Sequence, residues 1–450
     1  MLLKDKIKMN KLNKLKYISF FLSFLIIFSY FLGFYFNENS AGAGGYNGDI
    51  SWILNNIKIF QENSLINSIF HKELFGNRPP LIYALNKIFN PYFYEYEKYR
   101  YTVFYLSLIG VYILYLGLKF KYNETNKSIL FSLATLILLS PYYRTSGFWA
   151  LNENYGLVAT ITSLTLINYF KANLTKNNIS LTYIYALVFF SSLTVYFDQK
   201  LVLVPLISFF TIMFNPISYK IKISTIFLYI ILSIPFLILI YYWQGIVPRL
   251  TQELNTNSIL TLQRTSKLYY YNLGYTSTLL AFYLFPFIFL KNANFFSLLK
   301  NFFISKKNFI LILIPLFYLL YLKQNYIFKD YTIDNYWIGF GYVHKFAKIF
   351  FNDIFYQEIF TYTAIFLSWL VICIYSERRI KCNLIILYFF LISLFFWPLM
   401  QEYFDPILLI VIILFADDDL KLNIKNILFL ISYFGLFLIF ANIYYYRLLN

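Results

Sequence analysis

A chain of 450 residues that is 60% hydrophobic, 23% aromatic and only 13% charged is no ordinary soluble domain, which would carry about a quarter of its residues as charges. The formal net charge of +17 sits beside long apolar runs, so the basic excess reads as a membrane-orientation signal and no nucleic-acid partner is expected. Two cysteines, Cys373 and Cys382, make no disulfide framework, and two histidines, His71 and His344, are too few for a His-based zinc or haem site.

Apolar runs recur along the whole length, most of them long enough to cross ~30 Å of hydrocarbon as helices. The short alternating strands of a β-barrel are absent. The expected fold class is therefore all-α: a polytopic helical membrane protein with about 13 transmembrane helices, the range being 11–13. In chain order the spans are read at 17–36, 101–120, 128–142, 150–170, 181–197, 201–215, 224–243, 272–290, 308–322, 359–375, 382–397, 404–416 and 427–446. Two modules are expected, 1–215 with the first long loop 37–100, and 216–450 with loops 244–271 and 323–358.

Six lysines precede Tyr17, which puts the N-terminus in the cytoplasm. The first apolar run is long and ends in no small-residue cleavage site, so it reads as a span and not as a signal peptide. Alternating from there makes the loops on the cytoplasmic face short and basic, and nearly the whole +17 falls on that side. Abundant Lys, Asn, Ile, Phe and Tyr suit a microbe with an AT-rich genome. The expected setting is thus a bacterial inner membrane.

The three long loops then share the outer face, and two of them carry amphipathic patterns. Ile50, Ile53, Leu54, Ile57 and Phe60 fall on one helical face; Leu81, Leu85, Ile88 and Phe89 fall on another. A third stripe joins Val343, Phe346, Phe350 and Ile354. Such helices would lie in the membrane interface.

The outer ends of the spans hold acids that could do chemistry: Asp49 on a glycine-rich loop (AGAGGYNGDISW), Glu153 in WALNENYGL, Asp198, and Glu402. An ionisable group near the membrane is a functional-site hypothesis, and the bland alternative is a solvated carboxylate at the interface. Outer-face cations are Arg78 in FGNRPPLIYAL, Arg144 in SPYYRTSGFW and Lys200 in YFDQKLVLVPL. Guanidinium at head-group depth suits a phosphate, and the bland alternative is head-group anchoring. Carboxylates and cations at that depth suit transfer from a lipid-linked phosphate donor, or else a transporter or channel mouth.

The order of these features resembles the GT-C superfamily of integral-membrane glycosyltransferases, closest to the protein mannosyltransferase and aminoarabinose transferase branch. The likeness is carried by a first span, an acid in NGDISW, an interfacial helix, and then the basic Pro-Pro-Leu of NRPPLIYAL. The segment SPYYRTSGFWALNENYGLVATITSLTLINYF is similar to the superfamily's third-to-fourth-span region, where a second acid opens the fourth helix. FDQK at 197–200 and LMQEYFDPILL resemble dolichyl-phosphate-glucose-dependent glucosyltransferases. The resemblance covers roughly residues 17–215.

It implies a donor sugar on polyprenyl phosphate and a glycan, lipid or protein acceptor, with membrane lipids as surroundings. Asp49 would be the catalytic base, Glu153 a second catalytic acid, and Arg78 the partner of the donor phosphate, with Arg144 and Lys200 as further phosphate ligands. Asp198, Gln199, His344, Lys345 and Glu402 are secondary candidates. Many members show two adjacent acids in the first loop, whereas Ile50 follows Asp49 here, which makes the loop a poor metal site. No metal ligands are expected and no cofactor is implied, with a divalent cation left open. The rival readings are a polysaccharide polymerase or ligase using a polyprenyl-diphosphate glycan, and a lipid-linked sugar flippase or transporter.

Overall fold

The computed structural model describes residues 2–41, 49–174, 180–254, 268–290, 295–304, 308–325, 341–377, 379–395, 399–416 and 420–449. Gly42, Gly44, Gly45 and Gly48 of the first loop, and Lys176, Lys291, Lys306, Lys307 and Arg378 of the basic loops, lie outside the described residues. Every regular element among the described residues is helical. Six helices are long and apolar enough to cross a membrane: Tyr17–Tyr35, Tyr96–Lys121, Tyr219–Trp243, Asn272–Phe289, Ile354–Ser376 and Ile424–Tyr446. Shorter apolar helices lie at Lys127–Leu139, Leu181–Phe197, Gln199–Phe214, Ile310–Gln324 and Ile380–Ser393. This is the architecture of a helical membrane protein.

The chain forms two compact units, one of residues 1–262, 413–415 and 422–450, the other of 263–412 and 416–421. This division by contacts falls at 262/263, whereas the two expected modules meet at 215/216. The first unit holds α1 (Leu2–Tyr35), α2 (Ile50–Glu62), α3 (Leu65–Ile69), α4 (Leu81–Phe89), α5 (Tyr96–Lys121) and α6 (Lys127–Thr135). It continues with α7 (Pro141–Phe148), α8 (Glu153–Leu174), α9 (Leu181–Phe197), α10 (Leu203–Phe214), α11 (Tyr219–Trp243) and α12 (Arg249–Leu254). Short 3-10 turns at Leu136–Leu139 and Gln199–Val202 join α6 to α7 and α9 to α10.

Helices α5 and α8 pack closely because small residues line their seam. A Cβ added at Gly110 would stand 2.9 Å from Val158 of α8, and one at Gly117 would run into Thr165. Polar ends fix the helix starts. Asn126 caps α6 through Ser128 N–H, Ser180 caps α9 through Thr182 N–H, and Ser140 caps α7 through Tyr143 N–H with Pro141 in the first turn.

The interfacial patterns of the first loop do fold as helices, but their faces are turned. In α4 the buried residues are Ile82, Tyr83, Ala84 and Asn86, while Ile88 and Phe89 of the expected apolar stripe are exposed. In α2 the buried set keeps Ile53, Ile57 and Phe60 but adds Asn56 and leaves Leu54 exposed. Lipid, not protein, is the apolar partner available to such a stripe, so the polar face can turn inward.

The second unit contains α13 (Asn272–Phe289), α14 (Phe295–Ile304), α15 (Asn308–Asn325), α16 (Gly341–Phe350), α17 (Ile354–Ser376), α18 (Ile380–Ser393) and α19 (Ile407–Val411). The third amphipathic stripe, 343–354, breaks at 351–353, where Asp353 caps α17 through Phe355 N–H. Val343, His344 and Ala347 are the buried face of α16, and Phe350 is exposed. The segment read as a span at 404–416 is α19 followed by a π turn, Ile412–Ala416. Ten helical residues reach only about 15 Å, too short for a membrane crossing. The last helix, α20 (Ile424–Leu449), belongs to the first unit.

Candidate functional site

The stretch FGNRPPL builds one wall of a buried charge cluster. Gly76 adopts φ +139°, a conformation other residues rarely take, beneath the Trp52 ring, which lies 3.2 Å from where a Cβ would be. Its N–H donates to Thr251 Oγ1 at 2.8 Å, and that hydroxyl donates back to the Gly76 carbonyl at 3.0 Å. Two residues on, Arg78 stands in a bend, kept out of the helical region by the following proline, and Pro80 stands at the N-cap of α4.

A tight reversal builds the opposite wall. Ala150 has φ +54°, in the left-handed region, at a strain of about 1–2 kcal/mol. Leu151 N–H closes the turn on the Ser146 carbonyl at 2.9 Å. The turn sets Glu153, first residue of α8, back against α7. There Tyr142 donates to Glu153 Oε1 at 2.6 Å and Ser146 Oγ to Oε2 at 3.2 Å. A carboxylate in the first turn of a helix also meets the positive end of the helix dipole.

Arg78 joins these walls to the end of α9. Its Nη2 pairs with Glu153 Oε1, and its Nε donates to Asp198 Oδ2 at 3.2 Å. Lys200 Nζ approaches the same Asp198 oxygen at 3.2 Å, while Lys200 N–H donates to Oδ1 at 3.0 Å and caps the 3-10 turn. Burial pushes the Asp198 carboxyl up, but Lys200 and Arg78 together more than offset it and hold it below the usual carboxylate range. The four charges cancel. Glu153, Asp198 and Arg78 side chains are 5%, 8% and 10% exposed and Lys200 is 20% exposed, so Lys200 is the charge an incoming group reaches first.

Around them lies a polar shell made of Asn152, the sequence neighbour of Glu153, and of four residues that sequence reasoning missed: Tyr142, Ser146, Tyr83 and Asn56. Tyr83 accepts from Asn56 and Asn152, each at 3.3 Å, and burial pushes its hydroxyl up to about 12. The signal for Tyr142 and Ser146 was their i, i+4 spacing, which places both on one face of α7.

The other expected site residues are placed as follows. Asp49 is half-buried at the start of α2 and accepts from the Trp52 indole at 3.0 Å; Trp52 is what links it to the Gly76 turn. Gln199 donates to the Ile246 carbonyl at 2.9 Å. Arg144 does not join the cluster: it is buried against the half-buried Glu38, donating from Nε at 2.8 Å and from Nη2. His344, Lys345 and Glu402 belong to the second unit. Burial, with Lys348 and Lys345 nearby, pushes His344 down to about 3, so it is neutral at physiological pH. Burial pushes Lys345 down to about 8, with Glu402 acting in the opposite direction.

Among the described residues no group of three or more His, Cys, Asp or Glu side chains is placed to hold a metal ion. Glu153 and Asp198 do not fit a divalent cation, because the Arg78 guanidinium already bridges them. No family model, no curated protein and no solved structure matches the chain.

Proposed function

We propose that the protein is an inverting glycosyltransferase that takes a sugar from polyprenyl phosphate at the outer face of a bacterial inner membrane, with the N-terminus cytoplasmic and eleven or twelve passes. The observation that carries the reading is Arg78, which brings the first long loop onto the starts and ends of α8 and α9 through Glu153 and Asp198, with Lys200 alongside. The Arg78 and Lys200 cations are the groups of the cluster that suit a substrate anionic before and after reaction.

In this reading the acceptor hydroxyl attacks the anomeric carbon while Asp49 takes its proton. The new bond forms between acceptor oxygen and sugar, and the bond from the anomeric carbon to the phosphate oxygen breaks. Polyprenyl phosphate leaves with the electron pair. Lys200, the most exposed cation, and Arg78 stabilise the phosphate charge. Glu153 holds Arg78 and is held by Tyr142 and Ser146, so it keeps the guanidinium aimed. Arg144, engaged by Glu38, acts as a strut and leaves phosphate binding to the other two.

The test is Asp49→Asn, assayed for sugar transfer in membranes supplied with polyprenyl-phosphate sugar. Loss of a general base should slow transfer by about 10²–10⁴-fold at unchanged protein level. Wild-type transfer rates in this variant would sink the reading.

A further inference from the structure

A cavity of about 460 Å³ opens where α11 ends, lined by residues 240–242, 244–246 and Arg249. Its volume falls in the range that holds small ligands. Arg249 is the one charged residue in the lining, and it is exposed, with its guanidinium 5.8 Å from the Tyr242 ring centre. Among the described residues Arg249 forms no ion pair. An exposed guanidinium over aromatic and aliphatic walls is suited to a phosphate attached to something apolar.

The cavity is built in advance of any ligand. Gln244 closes α11 in the left-handed conformation at φ +54°. Gln252 then holds the following loop with bonds from Nε2 to the Trp243 carbonyl at 3.1 Å and the Val247 carbonyl at 2.8 Å. Tyr242 donates to the Phe70 carbonyl at 2.7 Å, which anchors the end of α11 on the first loop.

Three further bonds tie this cavity to the charge cluster from both sides. Gln199, between Asp198 and Lys200, donates to the Ile246 carbonyl in the cavity lining. Thr251, two residues after Arg249, exchanges a pair of bonds with Gly76, two residues before Arg78. On the other side runs α11 itself, of which only 11% of the apolar window is buried. Phe227, Ile231, Ile234, Ile238 and Tyr241 leave an uncovered apolar track that ends at the cavity.

We propose that the cavity is the docking site of the polyprenyl phosphate donor and leaving group, with Arg249 binding the phosphate oxygens and the polyprenyl chain lying along the bare face of α11. The proposal rests on the glycosyl-transfer reading and extends it, since it adds a cation on a different loop from Arg78 and Lys200 and names the path of the lipid.

The experiment measures binding to the purified full-length protein in detergent by competition, with undecaprenyl monophosphate as the probe. The comparison probes are the unphosphorylated polyprenol, phosphatidylglycerol and inorganic phosphate. Arg249→Ala should weaken undecaprenyl monophosphate binding about tenfold, as loss of one charge-assisted contact requires, and Arg249→Lys should restore part of it. Tyr241→Asp, at a side chain 86% exposed and so remote from the fold's interior, should weaken it by like-charge repulsion. Thermal melting of each variant checks that it is folded.

Wild-type affinity in Tyr241→Asp would remove α11 from the proposal, and wild-type affinity in Arg249→Ala would overturn it. So would polyprenol or phosphatidylglycerol competing as well as the phosphorylated probe, because the site would then read the tail alone or any anionic lipid. Inorganic phosphate should compete only weakly, for want of a tail; competition equal to that of the lipid would remove α11 from the site. If selective binding holds while wild-type protein transfers no sugar, the glycosyltransferase reading fails and the lipid site stands. If transfer holds and Arg249→Ala binds normally, the lipid site fails alone.

Discussion

Arg144 directs all five of its N–H groups at Glu38, the Ser29 hydroxyl and carbonyl, and the Leu138 carbonyl. Arg78, in the same unit, divides itself between two carboxylates from different helices and shares one of them with a lysine. Both residues stand near a proline or helix start in a polar stretch, and nothing in their immediate sequence separates a strut from a site. What separates them is the set of acceptors: Arg144 adds a hydroxyl and two backbone carbonyls to a single carboxylate, whereas Arg78 is shared between two carboxylates. Backbone carbonyls hold an arginine in one geometry and have no charge to exchange. Carboxylates flanked by a second cation form a set whose pairings can shift when an anion arrives.

That contrast can be broken at its strongest point first. Arg144→Ala leaves the half-buried Glu38 without its guanidinium and should cost about 3 kcal/mol of stability, the low end of the range for breaking a buried pair, read as a lowered unfolding midpoint in detergent. A midpoint close to wild type would remove Arg144 from the role of strut. A smaller change sharpens the other side. Tyr142→Phe deletes the hydroxyl that donates to Glu153 and should cost about 1.5–3 kcal/mol, with sugar transfer falling as well because Arg78 loses a fixed partner. If the variant loses stability but transfers at the wild-type rate, Glu153 is only structural.

Acid sensitivity is the mildest test. Asp198 has a folded pKa below its ordinary 3.8, because Lys200 and Arg78 outweigh burial. Its contribution to stability is therefore complete above about pH 4 and is lost as pH falls through the lower folded value. The melting temperature of wild type should hold steady down to about pH 4 and then drop, and Asp198→Asn should flatten that drop. An identical acid limb in both proteins would mean that Asp198 is not held ionised by its neighbours.

Much of the molecule was legible before any coordinates. A long apolar run must become a helix in lipid, since no other local structure satisfies its backbone there, and so α1, α5, α11, α17 and α20 could be read directly. Residues 404–416 misled for the same reason: an apolar run of that length reads alike as a short span and as a buried helix. Glu153 and Arg78 are legible separately, as an acid at a span end and a cation before two prolines, and they prove to be in direct contact. Arg144 illustrates the opposite outcome, because its partner Glu38 drew no attention in the sequence.

The sequence by itself determined that this chain is a helical membrane protein, where its long helices run, and which polar residues stand at their ends. These follow from local energetics: the cost of unsatisfied backbone in hydrocarbon and the cost of a charge within it. Only the tertiary structure decided which face of α4 turns inward, which arginine is a strut, and that Arg78 meets Glu153 and Asp198. Those depend on contacts between residues 75 to 120 positions apart in the chain, and local patterns carry no information about which distant partner a buried charge will find.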